Sequence, residues 1–370
     1  MTKLLDRTVD LLQSTPVEDN YWMPGEFEPH SGTWMLWPER SDNWRKDAMP
    51  AEESFAAVAE AIVSVESLKI GVSARKLARA KSTLPSEVSL VVMESNDAWM
   101  RDVGPTILIN NKGSKRAVDW MFNAWGGVAH GLYQDWQADD AVAAIVAKNE
   151  GMDRYRAPLV QEGGGIHSDG KGTIFVTEEC VLSNGRNAKL GYRLCEEILK
   201  SYSGASQVIW LPRGVYADET TGHIDNLLHV AGPNLIFLTW TDDPYDEQYV
   251  RSARALSILD NTRDINGNPF HIIKLPAPGP LHRTAYEASG IASRPGSKSR
   301  KAGDRLAGSY VNFYLANGRA LVPLLDPRTD DNACLIIADA LPNREIIPIP
   351  AREILIGGGN IHCITQQIPL

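Results

Sequence analysis

Apolar and polar positions along this chain follow two periods in turn. Over Ala51 to Glu66, Trp136 to Asn149, Ala188 to Ser203, Gln248 to Leu259 and Asp330 to Leu341, apolar residues recur at helical spacing. Between these stretches lie short runs with strand character: Thr33–Trp37, Leu68–Val72, Val88–Met93, Val208–Leu211, Leu235–Trp240 and Ala320–Pro323. Helices alternating with strands predict an α/β protein. Met1 to Thr15 reads as a short amphipathic helix of mixed charge, without the apolar stretch of a signal peptide.

A weaker periodicity overlies this pattern. Five segments share one form, a glycine or polar cluster followed by alternating apolar residues. They are Arg101 to Thr106, Glu162 to His167, Gly222 to Asn226, Tyr310 to Tyr314 and Gly357 to Cys363. Their irregular spacing, roughly 50–90 residues, suggests about five repeated units around a common centre. Polar residues from distant parts of the chain would converge there.

Length and composition narrow the class. A chain of 370 residues suits one large α/β domain over 1–370, although two domains would also fit. The net charge of -9 argues against nucleic acid or an anionic membrane as a partner and mildly favours a small cation. No apolar run approaches the roughly 18–20 residues that span a bilayer. The four cysteines, Cys180, Cys195, Cys334 and Cys363, form no C-x-x-C pair and suit free thiols in a reducing cytoplasm. Residues 289–305, rich in Ser, Gly, Lys and Arg, read as a solvated surface loop, with a lid as the minority reading.

Three features could carry chemistry. Cys363 follows a run of three glycines and stands beside His362, a context in which backbone can approach a ligand closely. A thiol titrates near 8.5, so a nucleophilic one needs a positive neighbour or a positive substrate. Against this stands the ordinary reading of a cysteine as a buried, inert thiol. Second, His223 and Asp225 would share one face of a strand. They offer a proton shuttle, a structural hydrogen bond or part of a metal site, though no compact ligand pair points to zinc. Third, the carboxylates Asp102, Glu162 and Glu219 are flanked by Gly, Trp, Pro and Thr rather than only by other charges.

One explanation joins them. Carboxylates grip a planar guanidinium bidentately. At an effective dielectric of about 20, each contact at about 4 Å is worth roughly 4 kcal/mol before desolvation. The held cation offers an electrophilic carbon to the thiol, and its charge favours the thiolate.

At these residues the sequence resembles the agmatine deiminases, within the guanidino-group-modifying superfamily and its peptidyl-arginine deiminase-like members. The likeness runs from Met23–His30 and Trp37–Arg40, through Phe122–Gly127, to Gly357–Gln367. It is carried by WMRDVGPT, EGGGIHSDG, DETTGHIDN and GGGNIHCITQQ. The resemblance implies a five-bladed α/β propeller with pseudo-fivefold symmetry. It implies that Cys363 forms a covalent amidino intermediate, that His223 is the acid/base, and that Asp102 and Asp225 bind the guanidinium nitrogens. Glu162 would orient His223 or touch the guanidinium. Trp99 and Glu219 match positions lining the amine end of agmatine, and Arg101 is expected in a structural ion pair. The products would be N-carbamoylputrescine and ammonia, with no metal or organic cofactor. Arginine or peptidyl-arginine as substrate, amidino transfer to an amine, a polyamine-binding protein without activity, and a homo-oligomer all stay open at this point.

Overall fold

The computed structural model describes residues 9–370. One unit shows how the sequence builds the fold. Thr173–Thr177 (TIFVT) is buried along its whole length, and its β-branched and aromatic side chains suit a strand covered on both faces. The helix Gly191–Ser203 follows and buries Cys195, Leu199 and Ser203. The chain then returns as Gln207–Leu211, parallel to the first strand with Gln207 opposite Thr173. Such a parallel return requires a crossover, here the helix. On the other side, His167–Ser168 pairs antiparallel with the same strand.

Among the described residues this order recurs in five of six sheets: a lead strand antiparallel to a middle strand, and a third strand parallel to the middle one. The other four are Thr106–Ile109, Lys115–Met121 and Arg154–Val160; Leu228–Gly232, Leu235–Trp240 and His271–Pro276; Tyr314–Ala316, Arg319–Leu324 and Glu345–Pro350; and Gln366–Pro369, His30–Leu36 and Leu68–Val72. In the last, the lead strand comes from the far end of the chain, with Gln366 opposite Trp34. The crossover helices are Met49–Val63, Val142–Glu150, Gly191–Ser203, Glu247–Asp260 and Asp330–Ala340. They overlap the five helical stretches that the apolar pattern predicts. Glu247–Asp260 begins on a cap, since the Asp246 side chain accepts from the Gln248 N–H.

The fold is therefore mixed α/β. Its largest apolar cluster runs from Trp34, Met35 and Leu36 through Phe55 and Ile62 to Tyr314 and Leu321, and reaches Cys363 itself. No helix among the described residues is long and apolar enough to cross a membrane.

Two expectations change. The described part of the expected N-terminal helix contains a short strand, Leu11–Leu12, parallel to Arg154–Tyr155 at a sheet edge. Sheet pairing satisfies the backbone there, where so short a helix would be marginal. Residues 1–8 lie outside the described ones. Residues 289–305 are exposed in large part, yet they are anchored. The Lys298 N–H donates to the Leu132 carbonyl at 2.8 Å, and Arg294 pairs with Asp135 at 2.8 Å.

Candidate active site

Each of the five glycine or polar segments stands immediately before a lead strand: 101–106 before Thr106–Ile109, 162–167 before His167–Ser168, 222–226 before Leu228–Gly232, 310–314 before Tyr314–Ala316, and 357–363 before Gln366–Pro369. Equivalent places in five similar sheets bring their side chains to one location.

Asp102 lies on the short helix Met100–Val103 and is 5% exposed. Its Oδ1 accepts from the Gly164 N–H at 3.0 Å, and its Oδ2 accepts from Trp125 Nε1 at 2.8 Å. Glu162 precedes the single turn Gly163–Gly165 and is fully buried. Arg186 Nε donates to both of its oxygens, at 2.9 and 3.0 Å. His223 stands between these carboxylates, with Nε2 3.3 Å from Glu162 Oε2 and Nδ1 3.8 Å from Asp102 Oδ1. Its backbone N–H donates to Asp218 Oδ2 at 2.9 Å. His223 and Asp225 do not share a strand face, because His223 caps the short helix Ile224–Leu227. They nevertheless reach one space. A Cβ on Gly164 would lie 2.7 Å from both Asp102 Oδ1 and His223 Nδ1, and 2.9 Å from Asp225 Oδ2. Three side chains from two segments close over that backbone, and no side chain fits there.

Cys363 sits on the single turn His362–Ile364 and is 3% exposed. Its Sγ is 3.6 Å from Asp225 Oδ2 and 3.4 Å from Asn312 Oδ1. Asn312 comes from the fourth segment, so all five contribute. Trp99 packs against Trp44, with ring centroids 5.1 Å apart and the planes tilted by 33°. It reaches the thiol across Gly359, where a Cβ would lie 2.6 Å from the Trp99 ring and 3.1 Å from Cys363 Sγ. Glu219 lies over the same glycine run, with Oε2 2.7 Å from where a Gly358 Cβ would be. That carboxylate is already paired, with Arg300 at 2.7 Å and Lys298 at 3.7 Å. Arg101 turns away from the site and pairs with Glu26 at 2.9 Å, the structural ion pair expected of it.

Electrostatics divide these groups sharply. Burial pushes the Cys363 thiol up, and the Asp225 and Asp102 carboxylates push it further, so its pKa stands well above the ordinary thiol range. Burial works against a charged His223, but Asp102 and the neighbouring groups outweigh it and hold the imidazole protonated well above its usual range. Burial raises Asp102, with Asp225 and Glu162 adding repulsion, to about 6. Burial also opposes ionisation of Glu162, yet Arg186 and His223 bring it down to about 2. Asp225 is lowered despite burial, chiefly by His362. The site thus combines a neutral thiol, a protonated imidazole and an excess of buried carboxylate. A planar cation would complete it.

Among the described residues, two groups have metal-type ligand atoms within 4.8 Å of one another: His167, His229 and His362, and Glu162, Cys180 and His223. Both already hold cations. Arg186 and the protonated His223 serve Glu162, and Arg101 with the raised His362 serves Glu26 beside the histidines. A further dication would face positive charge at either place.

Several participants give no strong signal in the sequence. Arg186 lies in an ordinary polar turn, Arg300 in a loop that reads as solvated, and Asn312 and Trp125 in motifs with other conspicuous residues. Between Trp99, Trp125 and the segment carrying Ser297, Lys298 and Arg300, the remaining cavity is about 10 Å³, no more than one water's worth.

Residues 22–369 match the Porphyromonas-type peptidyl-arginine deiminase family. Two curated relatives, each named "putative agmatine deiminase", come from Vibrio parahaemolyticus and Latilactobacillus sakei. The first is 51% identical over 97% of this chain and 99% of its own, and the second 50% identical over 97% and 98%. A solved structure of the agmatine deiminase of Enterococcus faecalis is similar with a TM-score of 0.95, at 38% identity over 98% of this chain and 99% of that one.

Proposed function

Since the chain belongs to the Porphyromonas-type peptidyl-arginine deiminase family, we propose that it hydrolyses agmatine to N-carbamoylputrescine and ammonia through a covalent amidino-cysteine intermediate. At the coarser level it is a hydrolase acting on carbon–nitrogen bonds of linear amidines. One observation carries the finer reading: Cys363, His223, Asp102 and Asp225 meet around the Gly164 and Gly359 backbones. Together they offer nucleophile, acid and anionic cradle.

The chemistry follows from the charges. Asp102 and Asp225 hold the guanidinium nitrogens. The arriving cation offsets the burial and the carboxylate repulsion that keep Cys363 protonated, and the thiol gives its proton to solvent water. The thiolate attacks the guanidinium carbon and forms a C–S bond. His223, protonated through its carboxylate neighbours, gives its proton to one amino group, which departs as ammonia. A cationic thiouronium remains on the sulfur. His223, now neutral, takes a proton from water, and the resulting hydroxide adds to the same carbon. Collapse breaks the C–S bond and returns the thiolate, which regains its proton. The ureido product loses its extra proton to the released ammonia. Glu162 holds His223 in place, itself held by Arg186.

Substrate choice lies at the far end. Glu219 would receive the ammonium of agmatine, with Trp99 along the aliphatic chain. The α-carboxylate of free arginine would meet Glu219 with like charge.

We also read residues 1–370 as one catalytic domain, with its five similar sheets as blades of an α/β propeller of pseudo-fivefold symmetry. The shared strand order supports this, as does the pairing of the last strand with the first long one. The four unpaired cysteines suit a reducing cytoplasm.

The test is ammonia release from agmatine, arginine and a blocked arginine peptide, side by side. Agmatine should be hydrolysed at least about 100-fold more efficiently than the others, a difference one well-placed carboxylate can supply. Comparable rates on the peptide would overturn the substrate assignment. Product formation only with an added amine acceptor would mean amidino transfer instead.

A further inference from the structure

The histidine beside the thiol is not its base. Both ring nitrogens of His362 are engaged below the site. Nδ1 is 2.8 Å from Asp225 Oδ2, and Nε2 is 2.9 Å from Glu26 Oε2. Glu26 is 5% exposed, His362 1% and Asp225 fully buried. The same Glu26 oxygen accepts from Arg101 Nη2 at 2.9 Å, and its other oxygen accepts from the Leu315 N–H at 3.0 Å. Asp225 Oδ1, by contrast, is buried and has no hydrogen-bond partner among the described residues.

We propose that Glu26 and His362 are positioning residues for the substrate: the chain Glu26–His362–Asp225 clamps Asp225 by one oxygen and presents the other, bare, to a guanidinium nitrogen beside Cys363. This rests on the reading that Asp225 binds a guanidinium.

The physical case has three parts. A carboxylate turns freely about its last bond, and fixing one oxygen in advance removes that freedom before substrate arrives. A bare, buried carboxylate oxygen is also costly unless the anion is compensated elsewhere. A charge-assisted bond from a protonated imidazole does this at Oδ2, the oxygen that also lies 3.6 Å from Cys363 Sγ, and leaves Oδ1 unoccupied. Finally, the surroundings select which imidazole carries the charge. His362 faces Glu26, Asp225 and Arg101, and it stacks against His167 and lies edge-on to His229. Burial and Arg101 oppose protonation of His362, but the two carboxylates outweigh them. Burial keeps His167 neutral, and it lowers His229 to about 3.

The connection explains an alternation in the sequence. In Arg101-Asp102 and in His362-Cys363, one residue faces the site and its neighbour goes to Glu26. Arg101 Nε also donates to the His362 carbonyl at 3.3 Å. Glu26, which comes from a remote part of the chain, thus grips both reacting segments from beneath.

A double-mutant cycle separates positioning from mere stability. In a Cys363→Ser protein, which binds without turnover, agmatine affinity is measured by calorimetry with and without His362→Asn. The comparison is repeated after Asp225→Asn. His362→Asn should weaken binding about tenfold while Asp225 is present, and less than about threefold in the Asp225→Asn background. Equal factors in both backgrounds, or no loss with Asp225 present, overturn the proposal. Should His362→Asn fail to fold, Glu26→Gln, which keeps the shape and removes the charge, carries the same cycle. Nitrogen-15 NMR of labelled histidines in the full-length wild type gives a readout independent of substrate. Both His362 nitrogens should be protonated at neutral pH, and a neutral His362 overturns the clamp. Wild-type protein that releases no ammonia from agmatine overturns the functional reading instead, and the NMR signature then decides the clamp alone.

Discussion

Arg300 occupies the Glu219 carboxylate, its Nη1 2.7 Å from Oε2, with the guanidinium side chain only 5% exposed. The group proposed to receive a substrate cation is already holding a cation from the chain. On the proposed reading, substrate ammonium and Arg300 compete for one carboxylate.

Arg300→Ala should lower the KM for agmatine. The pair is largely buried, and a charge-assisted hydrogen bond of this kind is worth about 1.5–3 kcal/mol, so the gain should be on the order of tenfold or more. Glu219→Gln should raise KM by a comparable or larger factor. Steady-state kinetics of both variants checks the competition. A higher KM in Arg300→Ala would mean that Arg300 builds the site rather than filling it.

The Asp102 pKa of about 6 gives a pH dependence. An unfolded aspartate titrates near 3.9. Between about pH 4 and 6 the folded protein therefore holds a proton that the unfolded chain has lost, and this group makes stability fall as pH rises across that window. Function runs the other way, since a protonated Asp102 cannot hold a cation. The acid limb of kcat/KM, which reports the free enzyme, should bend near pH 6. In kcat the limb should lie lower, because bound guanidinium favours the carboxylate. Coincident limbs in the two profiles would contradict this.

The side chains of Arg186 and Glu162 are both fully buried and are bonded through Arg186 Nε at 2.9 Å. Arg186→Met would leave Glu162 a buried anion without its bidentate partner, with His223 as the cation still facing it. The expected loss is about 3–5 kcal/mol of unfolding free energy, read by chemical denaturation. A loss below about 1 kcal/mol, the range of surface pairs, would contradict the pairing.

Gly164→Ala tests the convergence itself. The added methyl would meet Asp102, His223 and Asp225 at under 3.0 Å. A displacement of this size should cost about 100-fold in kcat/KM with the fold retained, as judged by circular dichroism. Activity near wild type would mean that the three groups do not share that space.

The legible and illegible parts of this molecule differ for physical reasons. The five crossover helices each pack one face, so their period survives in sequence. Several strands carry no such record. Thr173–Thr177 is buried on both faces and shows no alternation, and the lead strand His167–Ser168 has two residues. The chemistry was readable where glycine must accommodate converging side chains, as around Gly164 and Gly359. It was hidden where a role depends on a distant partner. Nothing in its own neighbourhood marks Arg186 as the holder of Glu162, or Arg300 as the occupant of Glu219.

The central claim is that a guanidine carbon becomes bonded to Cys363. Turnover of agmatine should be quenched in acid during steady state and the denatured protein digested and examined by mass spectrometry. The account predicts an amidino adduct confined to the Cys363 peptide, absent without agmatine and absent from Cys363→Ala, which should also release no ammonia. Ammonia release by Cys363→Ala, or wild-type turnover with no adduct on that peptide across repeated quench times, would contradict it.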